Sequence, residues 1–435
     1  MEIHIVSPGD TLFSIARQYQ VPASQIALDN GLSGQARLVV GQALVIQFPS
    51  QTHVVQPGET LSDIGRQYGF SQRQLYQNNP ILQGRDSIYP GQTLVLSYRQ
   101  QKIGSLETNG YAYPYISDRL LQSVLPYLSA MTPFTYGFTP QGNLVDLNDR
   151  QMIAMAQRMD VAPLMHLSTL TESGGFSNEL AHMALTDVTL QKALIENVLL
   201  TMQDKGYRGL DVDFEFVYRQ DAGLYAQFIR RMAERFNPLG YPVIVALAPK
   251  TSSDQPGLLY EGHDYAALGA AANRTLLMTY EWGYTYGPPM AVAPLPSVRR
   301  VAEYALTQIP AEKIWLGVPT YGYDWPLPFV QGQSKATSLS PQQALNLALA
   351  YGAEILYSDQ SQAPWFRYTD RQGQIHEVWF EDARSIQAKL ALTGEYGFSG
   401  VGYWNLMREF PQNWRVLNAL YHIDAIGASR QPNSL

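Results

Sequence analysis

The stretch HIVSPGDTLFSIARQYQV that begins at His4 returns as HVVQPGETLSDIGRQYGF from His53, and LVVGQALVI from Leu38 returns as IYPGQTLVL from Ile88. Self-similarity this close commits the N-terminal part of the chain to two copies of one small supersecondary unit. Each copy predicts a short strand, a turn at Pro8-Gly9 or Pro57-Gly58, and a helix opened at Asp10-Thr11 or Glu59-Thr60. A second helix and a closing strand after Gly41-Gln42 or Gly91-Gln92 complete the units, over residues 1–48 and 51–98. The polar stretch that follows lacks hydrophobic periodicity and reads as a linker over 99–107, joining two independently folded parts.

From residue 108 to 425 short apolar, β-rich runs alternate with helical patterns. Eight candidate strands begin near Asn109, Pro133, Ala162, Gly209, Tyr241, Arg274, Ile314 and Phe398. The pattern predicts an α/β fold, a TIM (β/α)8 barrel with active-site residues at the C-terminal strand ends; a doubly wound sheet is the competing architecture. A small α+β insertion is expected at about 331–380, with a hairpin turning at Asp370 to Gly373, and a tail at 426–435.

The fourth strand, GLDVDFEFV over 209–217, sets Asp211, Asp213 and Glu215 at every second position. Alternate side chains leave a strand on one face, so the acids share a face and Leu210, Val212, Phe214 and Phe216 take the other. Acids roughly 7 Å apart resist full ionisation, and at least one retains a proton near neutral pH, as an acid catalyst requires. A solvated polar face or a divalent-metal site would account for the same spacing.

The chain has no cysteine, which excludes disulfides, thiol catalysis and thiolate metal sites. The seven histidines are scattered without an HExxH arrangement, so neither a metal nor another cofactor is expected, and they read as structural or exposed. A net charge of −7 argues against nucleic acid and against anionic membranes as partners. No apolar run reaches membrane-spanning length, and MEIHIVSPGD lacks the basic and apolar regions of an export signal. The 28 tyrosines and 7 tryptophans suit sugar binding, since ring faces pack against pyranoses.

On PGDTL…IA…Y, Asn30 or Asn79, and GQxLxI, both N-terminal copies resemble LysM modules. That resemblance implies binding of N-acetylglucosamine-containing glycans such as peptidoglycan. The groove would use Gly9, Asp10, Thr11, Leu12 and Asn30 in the first copy, and Gly58, Glu59, Thr60, Leu61, Asn79, Pro80 and Ile81 in the second. Thr11 and Thr60 equally suit helix N-caps. Two weak sites on one chain would add avidity for a polymer.

The large domain resembles the family 18 glycoside hydrolases. Their fourth strand carries DGxDxDxE, where this chain has RGLDVDFE; Arg208 replaces the outer acid and is expected to alter the charge balance of the inner pair. MTYEW supplies Met278 and Tyr280, with Glu281 where the family has Asp, and GYWNL supplies Trp404. The resemblance implies a retaining, substrate-assisted hydrolysis: Glu215 as general acid, Asp213 orienting the sugar's 2-acetamido group, Asp211 sharing a proton with Asp213, and Tyr280 bonding the acetamido carbonyl. Trp404, Met278, Glu281, Trp282 and Tyr321 would bind substrate, with Tyr284 and Tyr286 as weaker candidates.

MTYEWGYTYGPPMAVAPLP, HEVWFEDARS and the two LysM copies look most like the spore cortex-lytic N-acetylglucosaminidases of endospore-forming bacteria. This resemblance implies action on spore peptidoglycan during germination, assembly from the mother cell into the coat and cortex region without a signal peptide, and spore coat proteins as neighbours. A chitinase and a non-catalytic glycan-binding coat protein are the rival readings.

Overall fold

The computed structural model describes residues 1–32, 37–171 and 174–427. The expected tail therefore lies, from residue 428 onward, outside the described residues.

Each N-terminal copy is a two-stranded antiparallel ribbon over two helices. Glu2–Ile5 pairs with Ala43–Ile46 around helices Leu12–Tyr19 and Ala23–Asp29. Pro49–Val54 pairs with Thr93–Tyr98 around Leu61–Tyr68 and Gln72–Asn78. Thr11 and Thr60 are N-caps: each hydroxyl accepts from the N–H three residues on, and the Ser14 or Asp63 side chain returns the bond. Asn30 ties helix to strand, its Nδ2 donating to the Ile26 and Val45 carbonyls at 2.8 Å and its Oδ1 accepting from the Val45 N–H at 2.7 Å. Asn79 repeats this with Leu75 and Val95. Leu12 and Leu61 lie in the two small cores. Of the residues implied for the groove, these four have buried side chains that hold the modules together.

The large domain is a closed parallel barrel of β1 (Gly104–Ala112), β2 (Ala130–Pro133), β3 (Ala162–Ser168), β4 (Gly209–Asp213), β5 (Val243–Leu247), β6 (Arg274–Leu277), β7 (Ile314–Pro319) and β8 (Gly400–Trp404). Pairing of β8 with β1, Gly400 opposite Glu107, closes the ring and rules out the doubly wound alternative. Tyr111, Ala130, Leu164, Ile244, Leu276 and Trp315 fill the interior, while Val212 and Phe214 join the layer between strands and helices. No helix among the described residues is long and apolar enough to cross a membrane.

β4 is shorter than the expected 209–217. Its last paired residue is Asp213, opposite Ser168 where β3 ends, and the Phe214 N–H turns to the Tyr225 hydroxyl at 3.4 Å. With no strand left to pair, Phe214–Val217 becomes a loop, and Glu215 is carried just beyond the strand end.

The supposed linker is also corrected. β1 already begins at Gly104, the Ile103 N–H donates to the Leu420 carbonyl, and Lys102 Nζ donates to Asn418 and to the Tyr421 carbonyl. Glu107, the last residue of that stretch, is buried at the base of the barrel. It accepts both nitrogens of Arg274 at 2.8 and 2.9 Å, Trp315 Nε1 at 2.8 Å and the Gly427 N–H at 2.7 Å. Removing one partner of a buried pair strands the other. Glu107→Ala is expected to cost about 3–5 kcal/mol, read as a lower urea midpoint at unchanged slope.

Nor are the parts independent. Gln412 Nε2 donates to Asn30 Oδ1 and the Ala43 carbonyl, Gln47 reaches the Arg415 carbonyl, and Arg73 Nε reaches that of Pro126. The insertion is a five-stranded antiparallel sheet whose first strand, Gly322–Leu327, starts before the expected boundary at 331. Gly322–Leu327 extends the sequence run of β7 without a break, but it pairs with Ile375–Trp379 of the lobe. The hairpin forms as expected, the Gly373 N–H donating to the Asp370 carbonyl.

Candidate active site

A cavity of about 230 Å³ opens at the C-terminal end of the barrel. Asp213 from β4, Glu215 from the loop after it, Met278, Tyr280, Glu281 and Trp282 from the loop after β6, and Trp404 at the end of β8 all line it. Strand alternation carries Asp211 inward too, but one layer deeper: it is fully buried and does not reach the cavity wall. Tyr280 can lie against β7 because residue 317 is glycine; a Cβ there would come within 2.8 Å of the Tyr280 ring.

Burial dominates the electrostatics. It pushes Asp211 up to about 7, although the Tyr111 hydroxyl donating to Asp211 Oδ2 at 2.5 Å favours the charged form. Asp213 is held well above the usual carboxylate range by burial and then by the charges of Glu215 and Asp211. Burial, then the Glu281 charge, raises Glu215. Tyr280 is raised by burial and the surrounding carboxylates, so its phenol stays a protonated donor. His166 Nε2 lies 3.6 Å from Asp213 Oδ2, yet burial brings this histidine down to about 3, so it is neutral near pH 7. One face of the cavity thus holds protons on carboxyl groups at a pH where free acids would have lost them. Such a site can donate a proton to a bound group and hold developing positive charge beside Asp213.

Trp404 forms an aromatic floor with Phe134 at 4.9 Å, Tyr111 at 5.9 Å and Tyr113 at 6.2 Å between ring centroids. Three expectations shift. Tyr321 is buried behind the wall, where its hydroxyl donates to Glu281 together with that of Tyr323. Tyr284 and Tyr286 stand exposed outside the cavity. Arg208 is exposed just before β4, 3.9 Å from Asp160, and is not among the charges that shift Asp211, Asp213 or Glu215.

Tyr111, Phe134, His166, Tyr260 and His263 escaped the sequence reading. His263 fixes the acid's loop: its Nε2 donates to the Glu215 carbonyl and its Nδ1 accepts from the Ala248 N–H, both at 3.1 Å. Burial lowers His263 to about 4, which keeps the neutral tautomer this pair of bonds needs. A lone histidine after an apolar strand carries no local signal of that role. Tyr111 stands near the start of the first predicted strand but near the end of the observed β1, so its place at the rim follows only from the earlier start of that strand.

The family described as Glycosyl hydrolases family 18 matches residues 108–409, and the LysM domain matches residues 4–47 and 53–97. The chain is 41% identical over 431 residues to the cortical fragment-lytic enzyme of Bacillus subtilis (strain 168), covering 97% of this chain and 99% of that one. It is 37% identical over 416 residues to the putative sporulation-specific glycosylase YdhD of the same organism, covering 95% of this chain and 97% of that one. The crystal structure of the Bacillus cereus spore cortex-lytic enzyme SleL superposes with a TM-score of 0.83 at 36% identity, covering 98% of this chain and 99% of that chain. The chain belongs to the family 18 glycosyl hydrolases and carries two LysM domains ahead of its catalytic barrel.

Proposed function

We propose that the enzyme is an N-acetylglucosaminidase that hydrolyses the glycan of spore cortex peptidoglycan, or its fragments, during germination. The observation that carries this reading is the meeting of Asp213, Glu215, Tyr280 and Trp404 on one cavity whose acids are pushed toward their protonated forms. A pyranose ring rests on Trp404, and Glu215 gives its proton to the glycosidic oxygen as the C1–O bond breaks. The 2-acetamido carbonyl oxygen bonds to C1 from the opposite face, forming an oxazolinium ion. Asp213 stabilises that ion, with Asp211 behind it as proton reservoir, and Tyr280 donates to the acetamido oxygen. Water then attacks C1, giving its proton back to Glu215, and configuration is retained.

The polymer is suggested by two of the near-full-length relatives, one named for lysis of cortical fragments and the other for lysis of spore cortex. A place of action in the coat and cortex region, with assembly from the mother cell and coat proteins as neighbours, goes with that reading. Digestion of isolated cortex is expected to leave N-acetylglucosamine at the new reducing ends. Muramic acid at those ends refutes the bond assignment. Faster cleavage of chitin oligomers than of cortex favours a chitinase, and no soluble fragments from either favours a binding protein.

A further inference from the structure

The two LysM copies, so alike in sequence, face different surroundings. Beyond its second helix the first copy is built into the catalytic domain. Val39 is 6% exposed and belongs to one core with Leu339, Ala344 and Ile355 of the insertion lobe. The Ile355 N–H donates to the Val40 carbonyl at 2.9 Å, and Arg384 Nη2 donates to the Gly41 carbonyl at 3.2 Å. A Cβ on Gly41 would stand 1.8 Å from the Ile355 carbonyl oxygen, and one on Gly31 would stand 2.9 Å from the ring of Pro411.

The matching positions of the second copy are open. Tyr89, which replaces Val39, is 70% exposed, and a Cβ on Gly91, the counterpart of Gly41, would meet nothing within 4 Å. Ile81 is 59% exposed, whereas its counterpart Leu32 packs partly on the first module's own core. Both apolar side chains sit on the segment between second helix and closing strand, which no other part of the described molecule covers at these two positions.

We infer that glycan retention is carried by the second copy, through Ile81 and Tyr89, and that the first copy has become a brace fixing the lobe beside the catalytic groove. The occupant is a chain of N-acetylated hexosamines, whose apolar ring faces suit an exposed tyrosine and isoleucine. The inference rests on the reading of the LysM copies as glycan binders, and it replaces the expectation of two equivalent sites adding avidity. Among the described residues the most exposed large apolar side chain of the first copy is Phe13, 69% exposed on its first helix, and it is the internal rival.

The test is co-sedimentation of the full chain with insoluble cortex peptidoglycan on ice, with thermal melting as a check on folding. Losing two contact side chains is worth about tenfold or more in affinity, since about 1.4 kcal/mol corresponds to a factor of ten. Ile81→Ser with Tyr89→Ser is expected to weaken retention by about that factor while melting with the wild type, and Phe13→Ser to leave retention within about twofold. Retention that survives the double change, or that Phe13→Ser abolishes, overturns the assignment. A wild-type chain that does not sediment sinks the glycan-binding reading of the modules themselves, independently of any result on cleavage.

Discussion

Glu215→Gln is expected to lower turnover on cortex glycan by about 10²–10⁴-fold, the usual contribution of a positioned acid. The change is well contained. The loop is anchored through the Glu215 backbone carbonyl by His263, not through the carboxyl group, so the amide keeps the local fold. What the proposed mechanism loses is the proton for the leaving oxygen. An aryl glycoside with a good leaving group needs little protonation, so its first step should lose far less than that of the natural polymer. The pH profile carries the same signature. Glu215 is raised by burial and by the Glu281 charge, so the proton-bearing form persists above the ordinary glutamate range and is lost as pH rises through the raised value. The alkaline limb of kcat/KM in the wild type should therefore lie above that range and vanish in the glutamine variant. Wild-type turnover of polymer by Glu215→Gln would remove this residue from the mechanism.

How much of this was readable from residues alone depends on whether the signal was local. The repeat was fully legible, because it needed only comparison of the chain with itself, and both copies fold as the expected strand–helix–helix–strand unit. The number of barrel strands was legible because parallel barrel strands are short apolar runs, but not every bound: the second, expected to begin near Pro133, ends there. The alternation of Asp211, Asp213 and Glu215 pointed to one inward face, of which Asp213 and Glu215 line the cavity while Asp211 lies deeper, although β4 stops at Asp213. Strand ends are set by where a neighbour runs out, and a neighbour is not written in the local sequence. The same reason hid the union of modules and barrel. Gln412 reaching Asn30, or Val39 entering the lobe's core, joins residues hundreds of positions apart. His4 and His53 show a middle case. Each bonds an acid and a tyrosine of its own module, Asp10 with Tyr19 and Glu59 with Tyr68, so the repeat contained the network in plain view without saying what it did.

Asp213→Asn is the second large effect, expected to lower kcat by about 10²–10³-fold, the loss typical when one preorganised electrostatic partner of a transition state is removed. Asparagine fits the same buried space, so the loss is one of charge. In the resting enzyme Asp213 is pushed toward its neutral form by burial and by two neighbouring carboxylates, and its Oδ1 is buried with no protein partner. Positive charge growing on the acetamido group reverses that balance, because an anion beside a cation is favoured in a cavity that excludes water. In the proposed mechanism the proton then passes to Asp211, which burial has already pushed up to about 7 and which the Tyr111 hydroxyl holds in place. An amide at 213 can still bond the acetamido group but cannot become an anion. KM should consequently change much less than kcat, and Asp211→Asn, which leaves Asp213 able to ionise, should cost less than Asp213→Asn. A series in which Asp213→Asn mainly raises KM, at unchanged kcat, would mean that this acid binds sugar and does not stabilise charge.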